Sequence, residues 1–170
     1  MHTFKRIRQY IGHRTIINSI DVNNQLICSA ADDSTVKIWD SRSKEATKSF
    51  KTGCPNTSVV FSRDGEYIYV GGIDNLIKAI NLRRNQIDFV LKGHNDTITG
   101  LSVSNTLNTF NLISNSMDNS VRLWDVRPYI SSNEQIINSE NPTRQICLFS
   151  GHTVKSFQNN LIKCSFSPND

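Results

Sequence analysis

A length of 170 residues suits one domain able to bury a core of ordinary size. With 20% charged and 37% apolar residues the chain is neither disordered nor membrane-embedded, and no run of about 18 apolar residues offers a transmembrane helix. The formal charge of +4 raises nucleic acid as a partner. Lys and Arg are nevertheless spread along the chain, apart from Lys5, Arg6, Arg8 and Arg14, and aromatic residues are few. A solvated basic surface is the simpler reading, with weak or indirect RNA contact as the other.

In chain order, Met1 to Ile20 holds four Lys or Arg and no acid, a faint likeness to a transit peptide. Gly12-His13 in that stretch already belongs to the repeat below, and no apolar signal-peptide core is present, so an intracellular location is expected. The Asn-X-Ser/Thr matches at Asn56 and Asn95 then carry no weight. Lys5 to Tyr10 reads as the outer strand of a preceding unit. A first whole unit runs from Gly12 to Phe50, with period-two strands Ile16 to Val22, Gln25 to Ala30, Thr35 to Asp40 and Ala46 to Phe50. A second runs from Cys54 to Leu91, with strands Ser58 to Ser62, Tyr67 to Gly71, Leu76 to Asn81 and Gln86 to Leu91; Arg63-Asp64-Gly65 supplies a tight turn. A third runs from Gly93 to Phe149, with strands Thr97 to Ser102, Asn111 to Asn115, Ser120 to Val126 and Gln145 to Phe149. Its last two strands flank a polar insertion, Arg127 to Arg144, expected to be a long mobile loop. A fourth unit opens at Gly151 and forms one strand, Leu161 to Phe166.

The units repeat. Ser29, Asp33, Val36, Ile38, Trp39, Asp40 and Arg42 recur 85 residues on as Ser114, Asp118, Val121, Leu123, Trp124, Asp125 and Arg127. Val70 to Arg83 keeps the same frame between them, with Ile80-Asn81 where Trp-Asp stands elsewhere. Gly-His recurs at Gly12-His13, Gly93-His94 and Gly151-His152. A repeat of about 40 to 45 residues with Gly-His at its start and Trp-Asp near its end resembles the WD-repeat family of β-propellers. The resemblance implies an all-β fold, with residues 1–170 forming about three and a half four-stranded blades of a seven-bladed ring. A chain stopping in mid-blade is expected to be a fragment, a truncated product, or one of several copies completing a ring.

The resemblance further implies that His94, Ser114, Asp118 and Trp124 form a hydrogen-bonded set, with His13, Ser29, Asp33 and Trp39 as its counterpart in the first blade. The middle blade keeps only Asp74 and is expected to hold by apolar packing alone. Ser114, His94 and Asp118 are also the residue types of a hydrolase triad. No G-x-S-x-G elbow exposes the serine, and the set occurs twice with a Trp each time, so the structural reading is preferred and no enzyme is expected. No G-x-G-x-x-G or P-loop occurs, and no cofactor or small-molecule substrate is expected. Cys28, Cys54, Cys147 and Cys164 fall in no C-x-x-C pair; buried free thiols are expected, and no metal site.

Several stretches are similar to the WD-repeat subunits of the spliceosomal U5 small nuclear ribonucleoprotein. They are SAADDSTVKIWDSR from Ser29, GGIDNLIKAINLR from Gly71, GHNDTITGLSVS from Gly93, SNSMDNSVRLWDVRPY from Ser114 and FQNNLIKCSFSPND from Phe157. Ile80-Asn81 and the long insertion depart from that pattern. The likeness implies a nuclear, non-catalytic scaffold in pre-mRNA splicing, docked on the large U5 scaffold protein and the associated helicase, with no membrane contact. Candidate contact residues are Arg14, Asp74, Asn75, Asn95 and Asn119 on one loop face. Arg42, Arg127 and Tyr129 stand on the other. A second reading starts from Trp39-Asp40-Ser41-Arg42 and Trp124-Asp125-Val126-Arg127, which match a WD-x-Arg motif resembling substrate receptors of cullin-RING ubiquitin ligases.

Overall fold

A computed structural model of the chain describes residues 8–104, 110–128, 144–151 and 162–167. Alternating apolar and polar residues broken by short polar turns produce twelve strands and no helix among the described residues. β1 (Ile17–Asn23), β2 (Leu26–Ala31), β3 (Thr35–Asp40) and β4 (Ala46–Lys51) form one antiparallel sheet in chain order. β5 (Asn56–Phe61), β6 (Tyr67–Gly72), β7 (Ile77–Asn81) and β8 (Gln86–Leu91) form the second. β9 (Ile98–Val103), β10 (Asn111–Ser116), β11 (Ser120–Asp125) and β12 (Gln145–Ser150) form the third. Consecutive strands pair because each connection is short and each pair is antiparallel.

The three sheets share their irregularities. Each pairing of a third with a fourth strand shifts register just before the same position, at Trp39, Ile80 and Trp124. Each turn between second and third strands places one residue in the left-handed region: Ser34, Asn75 and Asn119, with φ of 60°, 64° and 66°. Asn tolerates that conformation better than most non-glycine residues, because its short polar side chain bonds locally.

Alternation along the strands explains how the sheets stack. Ile68, Val70 and Ile80 of the second sheet face the first, where they pack with Cys28, Val36 and Ile38. Tyr67, Tyr69 and Ile77 face the third, where they pack with Ile98, Leu112 and Trp124. The second sheet is therefore the middle layer, and every residue of β6 and β7 is buried. The innermost strands lie side by side and are stitched by side chains: Asn18 Nδ2 donates to the Asn56 carbonyl at 2.8 Å, Thr57 Oγ1 donates to the Ile98 carbonyl, and Thr99 Oγ1 to the Ile162 carbonyl at 2.8 Å.

Three expectations need correction or fall outside the described residues. Residues 162–167 form no strand, although they lie beside β9 through Thr99, Asn115 and the Phe166 N–H to Ser102 Oγ bond. Those contacts run to side chains, and a strand needs a backbone ladder. Arg8 to Tyr10 is likewise irregular, tied to the first sheet by Arg8 Nη1 on the Ser41 carbonyl and by Tyr10 packed 5.6 Å from the Trp39 ring; Lys5 to Ile7 lie outside the described residues. The expected mobile loop also lies outside them, from residue 129 to 143.

Candidate functional site

In the first sheet the indole Nε1–H of Trp39 donates to Ser29 Oγ at 2.8 Å, and Ser29 Oγ stands 2.7 Å from His13 Nε2. His13 Nδ1 stands 3.0 Å from Asp33 Oδ2. The third sheet repeats this with Trp124, Ser114, His94 and Asp118 at 2.7, 2.7 and 2.9 Å. Donor and acceptor capacity gives each chain a direction. The indole can only donate and the carboxylate can only accept, so the serine O–H points to Nε2 and the imidazole proton sits on Nδ1. Three remote stretches of backbone are thereby locked together by four side chains. Gly12 and Gly93 complete the arrangement: a Cβ on Gly12 would come within 2.9 Å of the Trp39 ring, and one on Gly93 within 3.1 Å of Trp124.

Each set has a fifth member that the repeat frame already contained. Thr35 Oγ1 donates to Asp33 Oδ1 at 2.6 Å, and Ser120 Oγ to Asp118 Oδ1 at 2.5 Å. Both hydroxyls sit two residues after the Asp, a recurrence visible in the sequence. The remaining lone pairs accept backbone N–H groups of Arg14 and Asn95, and of Thr35 and Ser120. Burial works against the Asp118 charge, but the bonds from Ser120, Asn95 and His94 outweigh it and hold its carboxyl at about 2. Asp33 is held well below the usual carboxylate range in the same way, burial being outweighed by Thr35, Arg14 and His13. Burial also lowers His94, with Asp118 opposing, so the ring is neutral at pH 7.

The middle blade corrects the expectation of apolar packing alone. Val70 and Ile80 do replace the Ser and Trp, and Cys54 stands at the histidine position, 20 residues before Asp74 as His13 is before Asp33. A cation fills the gap. Lys78 is buried, and its Nζ meets Asp74 Oδ2 at 2.6 Å, donates to the Thr52 carbonyl at 2.7 Å and lies 3.4 Å from Cys54 Sγ. Burial disfavours the Asp74 charge, but Lys78 and Cys54 outweigh it and lower its pKa; burial, with Asp74, raises the Cys54 thiol. The substitution was hard to read because Lys78 occupies the place of Lys37 and Arg122, which bond Ser49 and Gln145 on their own outer strands instead.

The catalytic arrangement weighed from sequence has no open nucleophile. Ser114 is fully buried and its oxygen is already committed to the indole. Among the described residues no group of three or more His, Cys, Asp or Glu gathers to hold a metal. The thiols differ from expectation: Cys28 is buried, Cys54 and Cys164 are partly buried, and Cys147 is exposed because β12 has an uncovered face.

The contact residues read from sequence fall on opposite ends of the strands. Arg14 and Asn95 cap the Asp carboxylates with their backbone while their side chains are exposed; Asn75 and Asn119 are the left-handed turn residues; Asp74 is taken up by Lys78. At the other end Arg42 folds back on Asp40, with Nε–Oδ1 at 3.1 Å and Nη2–Oδ2 at 2.9 Å, and Arg127 folds back on Asp125 at 2.6–2.7 Å. Tyr129 lies outside the described residues.

The sequence profile described as WD domain, G-beta repeat matches residues 4–40, 50–81 and 85–125. The chain belongs to the WD-repeat family. Its second match covers the blade that has neither Trp nor His. Solved WD-repeat structures resemble it: "Crystal structure of RRP9 WD40 repeats" aligns with a TM-score of 0.69 at 24% identity, covering 84% of this chain and 41% of that one. The fold is thus all-β and a partial propeller, each sheet forming one blade. The human "U5 small nuclear ribonucleoprotein 40 kDa protein" is 38% identical over 169 residues, 98% of this chain and 44% of that protein. The "Pre-mRNA-splicing factor cwf17" of Schizosaccharomyces pombe is 42% identical over 98 residues, 56% of this WD-repeat chain and 29% of that protein. The chain spans less than half the length of these relatives.

Proposed function

We propose that this WD-repeat chain is a non-catalytic protein-interaction scaffold of the U5 small nuclear ribonucleoprotein, acting in pre-mRNA splicing in the nucleus. The observation that carries the reading is the 38% identity to the human U5 40 kDa protein along 98% of the chain. The geometry supports a binding role. The His, Ser, Asp and Trp side chains that could do chemistry are spent on rigidity, which leaves loop residues such as Arg14, Asn95 and Asn119 to meet partners. The partners in this reading are the large U5 scaffold protein and its associated helicase, with RNA touched weakly or indirectly.

Affinity purification of the full-length gene product from nuclear extract, with co-purifying proteins and RNAs identified, tests it. Recovery of the U5 scaffold protein, the helicase and the U5 RNA is expected; their absence overturns the assignment. The cullin-adaptor reading rests on Arg42 and Arg127, which stand at equivalent positions beside each Trp-Asp. Their guanidinium groups already pair with Asp40 and Asp125, so adaptor binding has to break those pairs first. Capture of an adaptor that is abolished by Arg42→Ala and Arg127→Ala together would put that reading first.

A further inference from the structure

Between the second and third blades, at the end of the strands away from the histidines, lies a cleft of about 310 Å³. That volume admits a large side chain or a small ligand. Its walls include Tyr67, Tyr69, Val103, Phe110 and Val126, and Arg63 stands on its rim. Phe110 is 46% exposed, an aromatic ring held at the mouth. Tyr69 is 2% exposed, no hydrogen bond of its hydroxyl joins it to another described residue, and its oxygen is not among the fully enclosed polar atoms that go without a partner. The hydroxyl of a largely buried tyrosine ring normally finds a hydrogen-bond partner. Tyr67 beside it does, donating to Asp88 Oδ2 at 2.9 Å.

The charges around the mouth are unevenly spent. Asp64 accepts from Ser62 Oγ and the Glu66 N–H within its own turn. Arg127 closes on Asp125, Arg83 on Glu66, and the Arg144 guanidinium stacks 3.9 Å from the Phe89 ring centre. The Arg63 guanidinium is exposed and meets no acid among the described residues. Two neighbouring clefts share the Ser62 to Gly65 turn with the first: one contains Asn23, Asp40 and Arg42, the other Asp21, Ser102 and Ser104. Together these clefts surround the turn: the first is mostly apolar, the one with Asn23, Asp40 and Arg42 is mixed, and the one with Asp21, Ser102 and Ser104 is mostly polar, a longer surface than a single side chain needs.

We infer that this cleft binds a linear segment of a partner protein in which a bulky apolar side chain is followed by Asp or Glu. The apolar group fills the space over Tyr67, Val103 and Val126, the Tyr69 hydroxyl donates to a peptide carbonyl, and Arg63 pairs with the acid. The polar cleft with Asp21, Ser102 and Ser104 receives the backbone that continues. Single-stranded RNA fits less well, because a strand needs several exposed ring faces and an array of free cations, whereas among the described residues lining the cleft Phe110 alone shows an open ring and Arg63 is the one cation. The inference concerns one groove and does not depend on the splicing assignment.

A phage-displayed library of random dodecapeptides, selected against the full chain, tests it, with enriched peptides labelled and titrated by fluorescence anisotropy. Enrichment of a bulky apolar residue followed by Asp or Glu is expected. Arg63→Glu should weaken binding about tenfold or more, and Tyr69→Phe several-fold, with thermal melts unchanged. Peptides without the acid, binding unaffected by Arg63→Glu, or no enrichment at all would overturn the inference. So would a labelled oligouridylate that binds the wild-type chain and loses binding on Arg63→Glu, which would make RNA the ligand. Peptide binding that emerges only when residues 129–143 are replaced by a short Gly-Ser linker would make the chain's own insertion the occupant.

Discussion

The third blade and the second solve one mechanical problem with different chemistry. In the third, a hydrogen-bonded chain from Trp124 through Ser114 and neutral His94 to the Asp118 carboxylate binds the loop before β9 to β10 and β11. In the second, the same loop is held by an ion pair, Lys78 to Asp74, with the Thr52 carbonyl and Cys54 as further partners. That chain needs four residue types at fixed positions: the indole donates, the serine and the imidazole each accept and donate, and the carboxylate accepts. The ion pair needs fewer, but it must keep an ammonium group buried. The middle position makes this workable: with blades on both faces, Ile80 and Ile77 recover by burial what the missing Trp would have supplied. The Asp is the common member, since in every blade it receives the donors at the turn between second and third strands.

Substitutions that delete volume should separate the blades least and cost most. Trp124→Ala removes the largest fully buried side chain and should lower unfolding free energy by about 3–5 kcal/mol; Ile80→Ala should cost about 2–5 kcal/mol. Equilibrium urea denaturation of both variants checks this. Trp124→Phe keeps much of the volume but leaves Ser114 without its donor, and should cost about 1–3 kcal/mol. The ion pair should behave unlike the hydrogen-bonded chain. Asp74→Asn strands the Lys78 ammonium and should cost about 3 kcal/mol, whereas Asp74→Asn combined with Lys78→Met should recover most of that loss. A double-mutant cycle with no coupling between positions 74 and 78 would show that packing alone holds the middle blade.

Acid should reveal the difference next. His94 has its folded pKa lowered, so its neutral form contributes stability that is complete above the unfolded value of about 6.5 and declines as pH falls below it. Asp118 has its folded pKa lowered to about 2, so its contribution is complete above the unfolded value of about 3.8 and is lost as pH falls towards 2. The middle blade has no histidine; burial opposes the Asp74 charge but Lys78 and Cys54 outweigh it and lower the pKa, so that contribution is complete above the unfolded value of about 3.9 and is lost only as pH falls below it. Urea midpoints measured from pH 7 to 3 should therefore fall in two stages, and His94→Gln should flatten the upper one. The smallest effect concerns the turns. Ser34 holds a left-handed conformation that Asn75 and Asn119 hold in the other blades, so Ser34→Asn should stabilise by less than about 1 kcal/mol in a thermal melt.

Much of this was legible in the chain. The recurrence of Ser29, Asp33 and Trp39 as Ser114, Asp118 and Trp124 places the blades and the hydrogen-bonding sets, because one residue type at one offset meets one partner in every copy. Thr35 and Ser120 were equally readable, recurring hydroxyls two residues after each Asp. Lys78 was not, since a lysine at that position points to its outer strand in the first blade and inward in the second. The period, the turns and the polar sets follow from residue type and spacing along the chain, since all are set by contacts within one blade. Coverage of the second blade on both faces, the buried ion pair in place of His and Trp, and the placement of Tyr69 in the wall of a cleft are settled by packing between blades. Those outcomes depend on how one sheet stacks against the next, and burial between sheets sums contributions from strands far apart in the chain.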